Sequence, residues 1–189
     1  MTRIALVAGA LLGVLSRIEE TADGLSLGVS ANSTWLALAF AAAIVARGAA
    51  AGRAALAGAL ALTAANLAYY AWIAVLEPGV ELAAVAGSPL RWFALGASGG
   101  AVFGLAGWWW ARERGVMRVL ATLPLAGVLV ADGIPALLGG ATTDGVGLVL
   151  GAALPVLSGS CARERLLGAA LAAAVVAVAL TGRLEVLMA

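Results

Sequence analysis

The chain has 189 residues, 63% of them hydrophobic and 11% charged, with 25 glycines and a formal net charge of +1. So little charge excludes a disordered chain, and it cannot clothe a water-soluble globule, which carries roughly 25% charged residues. The composition is that of an all-α, polytopic transmembrane helix bundle, with residues 1–189 forming a single transmembrane domain.

What is missing bounds the chemistry further. There is no His, Lys or Gln, and all eleven basic residues are Arg. No basic stripe suggests nucleic acid. Cys161 is the only cysteine, so no internal disulfide forms. A typical zinc site needs His and Cys, so no metal or other cofactor is expected, although carboxylates and carbonyls leave a hard-ion site open.

A bilayer core about 30 Å thick takes about 20 apolar residues per helix. Charges divide the chain into seven such runs. The first, between Arg3 and Arg17, has only 13 uncharged residues, about 20 Å of helix. Arg3 and Arg17 extend it if they snorkel outward. A cleaved signal peptide, with Ile4–Leu15 as its apolar core, or a re-entrant segment would reduce the count to six spans. Ala5, Gly9 and Gly13 offer a small-residue face. Glu19, Glu20 and Asp23 follow as an acidic, solvated loop. The Gly24-Leu25-Ser26-Leu27-Gly28 string matches a nucleophile elbow but lacks the strand such an elbow needs.

The second run, between Asp23 and Arg47, has 23 residues. The third, between Arg53 and Glu77, has another 23. It carries Thr63, Asn66 and Tyr70 at i, i+3 and i+7, on one helix face. The fourth, from Arg91 to Arg112, has 20, with Gly96, Gly100, Gly104 and Gly107 at steps of four, four and three. Small residues on one face let helix backbones approach, so this run is expected to be the central packing helix. The fifth, from Arg118 to Asp144, has 25 residues and contains Asp132, followed by Gly133 and Pro135. Proline removes a backbone donor and can break the helix there. The sixth, of 18 residues, has Gly147, Gly151 and Pro155, and the seventh, of 17, has Gly168 and Ala172.

With the N-terminus in the cytoplasm, eight arginines fall inside and three outside, the bias expected of short loops. The C-terminus then lies outside if there are seven spans. Trp35, Trp72 and Trp92 fall at outer ends and Trp108, Trp109 and Trp110 at an inner end, where indoles prefer to sit. The turns at Ala46-Arg47-Gly48, Ala111–Arg114 and Ala162–Arg165 look alike. The inside rule accounts for that better than an internal triplication.

Asp132 is the only carboxylate well inside a span, and a charge there demands a partner or a wet cavity. It reads either as a proton, cation or substrate contact, or as an ion pair with Arg91 or Arg17. Helix rise puts Asn66, Tyr70, Ser98 and Asp132 in the outer half of the membrane. With Arg91 they form the candidate ligand or ion site, and ordinary interhelical hydrogen bonding is the alternative.

The string Gly96-Ala97-Ser98-Gly99-Gly100, with Gly104 and Gly107 beyond it, resembles the catalytic-serine helix of rhomboid intramembrane proteases. A serine needs a base to take its proton, and no His or Lys exists to serve. Catalytic residues are therefore not assigned. Leu12–Arg17, Trp35–Ala41, Tyr69-Tyr70, Arg91-Trp92 and Phe103-Gly104 resemble a family of small actinobacterial integral membrane proteins of unknown function. That resemblance implies a multi-pass bacterial plasma-membrane protein and no known reaction. The expected partners are the lipid bilayer and either a small molecule or another membrane protein. The leading expectation is a non-enzymatic, transporter-like or ligand-binding bundle. The alternative is an assembly partner that docks through its glycine seams.

Overall fold

The computed structural model describes residues 2–22, 31–45, 48, 50–77, 82–139 and 145–188, the side chains of 82–88, 135–139, 145 and 182–188 excepted. The loop motif at 24–28, Asp23, Arg47, Glu81 and Asp144 lie outside the described residues, as do the side chains of Pro135, Arg183 and Glu185. Among the described residues the fold is all-helical, without strands. The helices are α1 (Thr2–Thr21), α2 (Asn32–Val45), α3 (Ala51–Leu76), α4 (Leu82–Arg112), α5 (Val116–Ala121), α6 (Leu123–Gly139), α7 (Gly145–Ser158) and α8 (Ala162–Met188). Two of them, over Ala51–Leu76 and Ala162–Thr181, are long and apolar enough to cross a membrane. Asn32–Val45, Leu123–Ile134 and Val146–Ser158 are shorter apolar helices.

The helices form two compact units, residues 1–108 and 109–189, with the boundary inside α4. In the first unit α3 packs against α1 and α2 and meets the glycine face of α4. Its small residues Ala54, Gly58, Ala61 and Ala65 are buried and admit neighbours on more than one side. Gly9 and Gly13 of α1 lie against the backbone of Ala61 and Ala65. Gly100 and Gly104 of α4 lie against Gly58 and Ala54. Gly96 meets the Asn66 side chain, and Gly107 meets the backbone of Phe40 on α2. Gly96, Gly100, Gly104 and Gly107 are thus all spent on helix contacts. The small residues of α3 are mostly alanines, which are so common in this chain that they gave no contrast in the sequence.

In α1 the buried positions are Ala5, Gly9, Leu12, Gly13, Ser16 and Glu19, a stripe of helical period. The opposite side exposes Ile4, Val7, Leu11 and Leu15. The helix runs through Arg17 and past Glu20, beyond the 13 uncharged residues. It can do so because Arg17 is paired with Glu77 and Glu20.

In the second unit α6, α7 and α8 pack pairwise, and α5 leans on α7 and α8. Gly151 of α7 meets the Ala126 carbonyl of α6, and Gly168 of α8 meets Pro155 of α7. The fifth uncharged run is two helices rather than one. Pro124 has no N–H to give the Leu120 carbonyl, and its ring crowds that oxygen. The helical hydrogen-bond ladder is interrupted at Thr122, whose backbone stays in the right-handed helical region and which is fully buried, its Oγ1 donating to the Val119 carbonyl at 2.7 Å. Pro135 causes no such break, because α6 continues to Gly139. α4 begins nine residues before Arg91, so Arg91 and Trp92 sit within a helix instead of opening one.

Candidate functional site

The polar groups of the first unit gather where the C-terminal turns of α1 meet the end of α3 and the start of α2. Ser16, almost completely buried, accepts a hydrogen bond from Trp35 Nε1 at 2.9 Å. One residue on, Arg17 donates from Nε to Glu77 Oε1 at 2.7 Å and from a terminal nitrogen to Glu77 Oε2 at 2.5 Å. This is a two-pronged guanidinium–carboxylate pair, whose planar fork fixes direction as well as distance. The other terminal nitrogen of Arg17 reaches Glu20 Oε2 at 3.1 Å, an i, i+3 pair on the same helix. The same oxygen accepts from the Tyr69 hydroxyl at 2.5 Å. Arg17 is thereby held over the Tyr69 ring, 5.8 Å from its centroid, within cation–π range.

A run of rings backs this group. Trp35 and Tyr69 meet edge to face at 6.2 Å, Tyr69 and Tyr70 at 5.2 Å, and Tyr70 approaches Phe93 at 6.2 Å. Buried aromatic rings favour such offset and edge contacts. The result is a clasp that ties α1 to α3, with aromatic walls and two carboxylates arranged around one guanidinium.

Of the residues singled out from the sequence, the structure brings Asn66 and Tyr70 to this end of the first unit. Asn66 is buried and its Nδ2 donates to the Leu62 carbonyl of its own helix at 3.0 Å. A Cβ on Gly96 would fall 2.5 Å from that nitrogen, so glycine there makes room for the amide. Tyr70 is half-buried among the rings. Ser98 is exposed, and its hydroxyl turns back to the Ala94 and Leu95 carbonyls at 2.8 and 3.2 Å, which occupies its proton. Arg91 is exposed. Asp132, half-buried, belongs to the second unit. Among the described residues no group of three or more Cys, Asp and Glu is placed to hold a metal ion.

Sequence reasoning missed the clasp as a unit. It offered Arg17 to Asp132, whereas the guanidinium is taken up by Glu77 and Glu20. The signal was available: Arg17, Glu20 and Glu77 all fell on one expected side, and Arg17 and Glu20 stand three apart.

Glu77 lies beyond the end of α3. The Arg17 guanidinium, bonded to both its oxygens, holds its carboxyl below the ordinary carboxylate value. A carboxyl whose folded pKa is lowered contributes stability above its unfolded pKa and loses it as pH falls through the folded value. Thermal unfolding followed against pH should therefore show wild type ahead of Glu77→Gln at neutral pH. The gap should close on acidification below about pH 4. A gap that is constant across that range would mean that the Glu77 charge does not support the clasp.

The fold defines an all-helical protein built from glycine- and alanine-lined helix contacts. The chain belongs to the family of unknown function DUF6518, whose model matches residues 2–189. No curated protein and no solved structure matches it.

Proposed function

We propose that this chain is a multi-pass integral membrane protein of a bacterial plasma membrane, acting without catalytic chemistry as a small-molecule-binding, transporter-like helical bundle. One observation carries the membrane reading, and it is an inverted distribution of residue size. The buried apolar positions are mostly alanine, joined by glycine seams, while large side chains face outward: Val75 is 78% exposed, Leu157 77% and Val178 73%. A soluble protein seldom turns so many large apolar side chains outward. In lipid the outward side chains cost nothing, and close backbone packing of small residues holds the helices together.

The seven-pass arrangement, N-terminus inside, follows from the arginine distribution, with α5 and α6 together forming the fifth pass. α2 and α7 have 14 residues each, about 21 Å of rise. Segments this short cross by local thinning and by snorkelling of their flanks. The single cysteine reports on this arrangement, since Cys161 is free and exposed in the turn between α7 and α8. A membrane-impermeant thiol reagent should leave it unlabelled in intact cells and label it once the cells are permeabilised. Equal labelling in intact cells would reverse the orientation.

For the binding role, support comes from the clasp of Arg17, Glu20, Glu77 and Tyr69 with its aromatic walls. Paired charges beside rings suit a small polar or zwitterionic molecule. Asp132 is retained as a second candidate contact. Protein purified in mild detergent should carry a small molecule detectable by mass spectrometry. Glu20→Gln should release a molecule held at the clasp, and Asp132→Asn a molecule held separately in the second unit, neither with loss of membrane insertion. Retention undiminished in both variants would remove the binding role. The second reading, an assembly partner, is favoured by Asn66, whose amide is taken up inside the chain by the Leu62 carbonyl of its own helix, against Gly96.

A further inference from the structure

The strongest remaining feature is in the second unit, at the end where α4 leaves into α5 and α7 turns into α8. Two segments of chain are locked together there. Trp110 Nε1 donates to the buried Ser158 hydroxyl at 3.0 Å. Arg118 stacks on the Trp110 ring with its guanidinium carbon 4.6 Å from the centroid. Gly115, at φ 66°, takes the turn between them in the left-handed region. A Cβ there would sit 3.5 Å from Glu164 Oε1. Glu164 is committed to closing the start of α8, accepting from the Ser160 N–H at 2.7 Å and its hydroxyl at 2.6 Å.

This leaves an excess of cations on one platform. Arg114 and Arg163 are exposed, and neither they nor Arg118 has a carboxylate partner among the described residues. Arg118 Nε is buried and makes no hydrogen bond, a costly state for a charged donor. Arg165 is held at the edge of the platform, its Nε donating to the Gly159 carbonyl at 3.2 Å.

Arg165 also marks the mouth of a furrow. A pocket of about 560 Å³, lined by Ser160, Arg165, Leu166 and Ala169 among others, opens between α7 and α8. It shares Val156 and Ala169 with a second pocket of about 490 Å³ that runs on along Ala152, Ala173 and Val176. The furrow is polar only at its arginine end and apolar along its length.

We propose that this furrow binds an anionic phospholipid, its phosphate on the arginine platform and one acyl chain between α7 and α8. Charge complementarity selects the head, and the change from guanidinium to small apolar lining selects the tail. Neither a soluble anion nor an uncharged hydrocarbon satisfies both ends. The inference rests on the membrane reading above.

The test is native mass spectrometry of the full chain released from nanodiscs of phosphatidylglycerol mixed with phosphatidylcholine. Wild type should retain one phosphatidylglycerol in preference to phosphatidylcholine. Arg165→Gln, at the arginine that lines the furrow, should weaken retention roughly fivefold, the worth of one arginine near an anionic headgroup. Ala169→Leu, which fills the furrow and removes no charge, should abolish it. Equal retention of the two lipids, or retention unchanged in Ala169→Leu, would overturn the proposal. Displacement of the lipid by millimolar inorganic phosphate would overturn it too, by making this a site for the free anion. Should the protein purify from the soluble fraction without detergent, the membrane reading itself fails. A protein that stays in the membrane yet carries no preferred lipid defeats this inference alone.

Discussion

Gly58→Leu should unfold the first unit or leave it barely stable, with a loss of about 3 kcal/mol or more. The reason is the kind of atom the new side chain would meet. A Cβ at Gly58 would collide with the Gly100 carbonyl and crowd the Gly104 Cα. These are backbone atoms of α4, and no rotamer change moves them away. The two helices would have to separate, and every small-residue contact between Ala54 and Gly104 would open with them. Native proteins have only about 5–15 kcal/mol in hand, so this one seam carries a large share. Gly127→Ala is the matched control. A Cβ there meets nothing within 4 Å, and replacing a helical glycine with alanine gains about 0.5–1 kcal/mol. Thermal unfolding of both variants in detergent should therefore move in opposite directions. Equal shifts, or a stable Gly58→Leu, would mean that the α3–α4 approach is looser than described.

The glycine face of α4 was legible because steps of four, four and three stand out on any helix, and those four glycines do line helix contacts. Their partner was not legible. Alanine fills this chain so densely that the small face of α3 had no contrast with its surroundings. The break at Thr122 was hidden for a different reason. A search for uncharged runs ignores backbone donors, and the lost N–H of Pro124 changes no hydropathy. At Pro135 the same rule allowed a break, and α6 runs on to Gly139. The shared face of Asn66 and Tyr70 was legible, but the clasp joins residues 60 apart, Arg17 and Glu77. Pattern within one helix carries no information about pairing between helices. Ser98 drew notice through its motif alone, and its hydroxyl is bonded to its own helix.

The second large effect is expected at Gly13, and it separates the contributions of seam and clasp at the α1–α3 contact. Gly13→Leu drives a side chain into the Ala65 carbonyl and the Tyr69 backbone, again atoms that cannot turn aside. A loss of about 3 kcal/mol follows by the same reasoning. Arg17→Gln, four residues on and on the same contact, should cost markedly less. Its pair with Glu77 is partly open, with side-chain exposures of 21% and 24%, and an exposed ion pair is screened and entropically taxed. The order of effects therefore says what holds α1 in place. If close backbone packing does so, Gly13→Leu alone should detach the helix. The clasp should go with it, because Ser16 and Arg17 are carried on the same helix as Gly13. Fluorescence of a background that keeps Trp35 as its one tryptophan reports the second step, since that indole is bonded to Ser16. Its spectrum should shift in Gly13→Leu to the position seen when Ser16 is replaced by alanine. If Arg17→Gln proves the more damaging of the two, electrostatics dominates at this contact. The glycines of α1 would then be places where the backbone comes close without much depending on it.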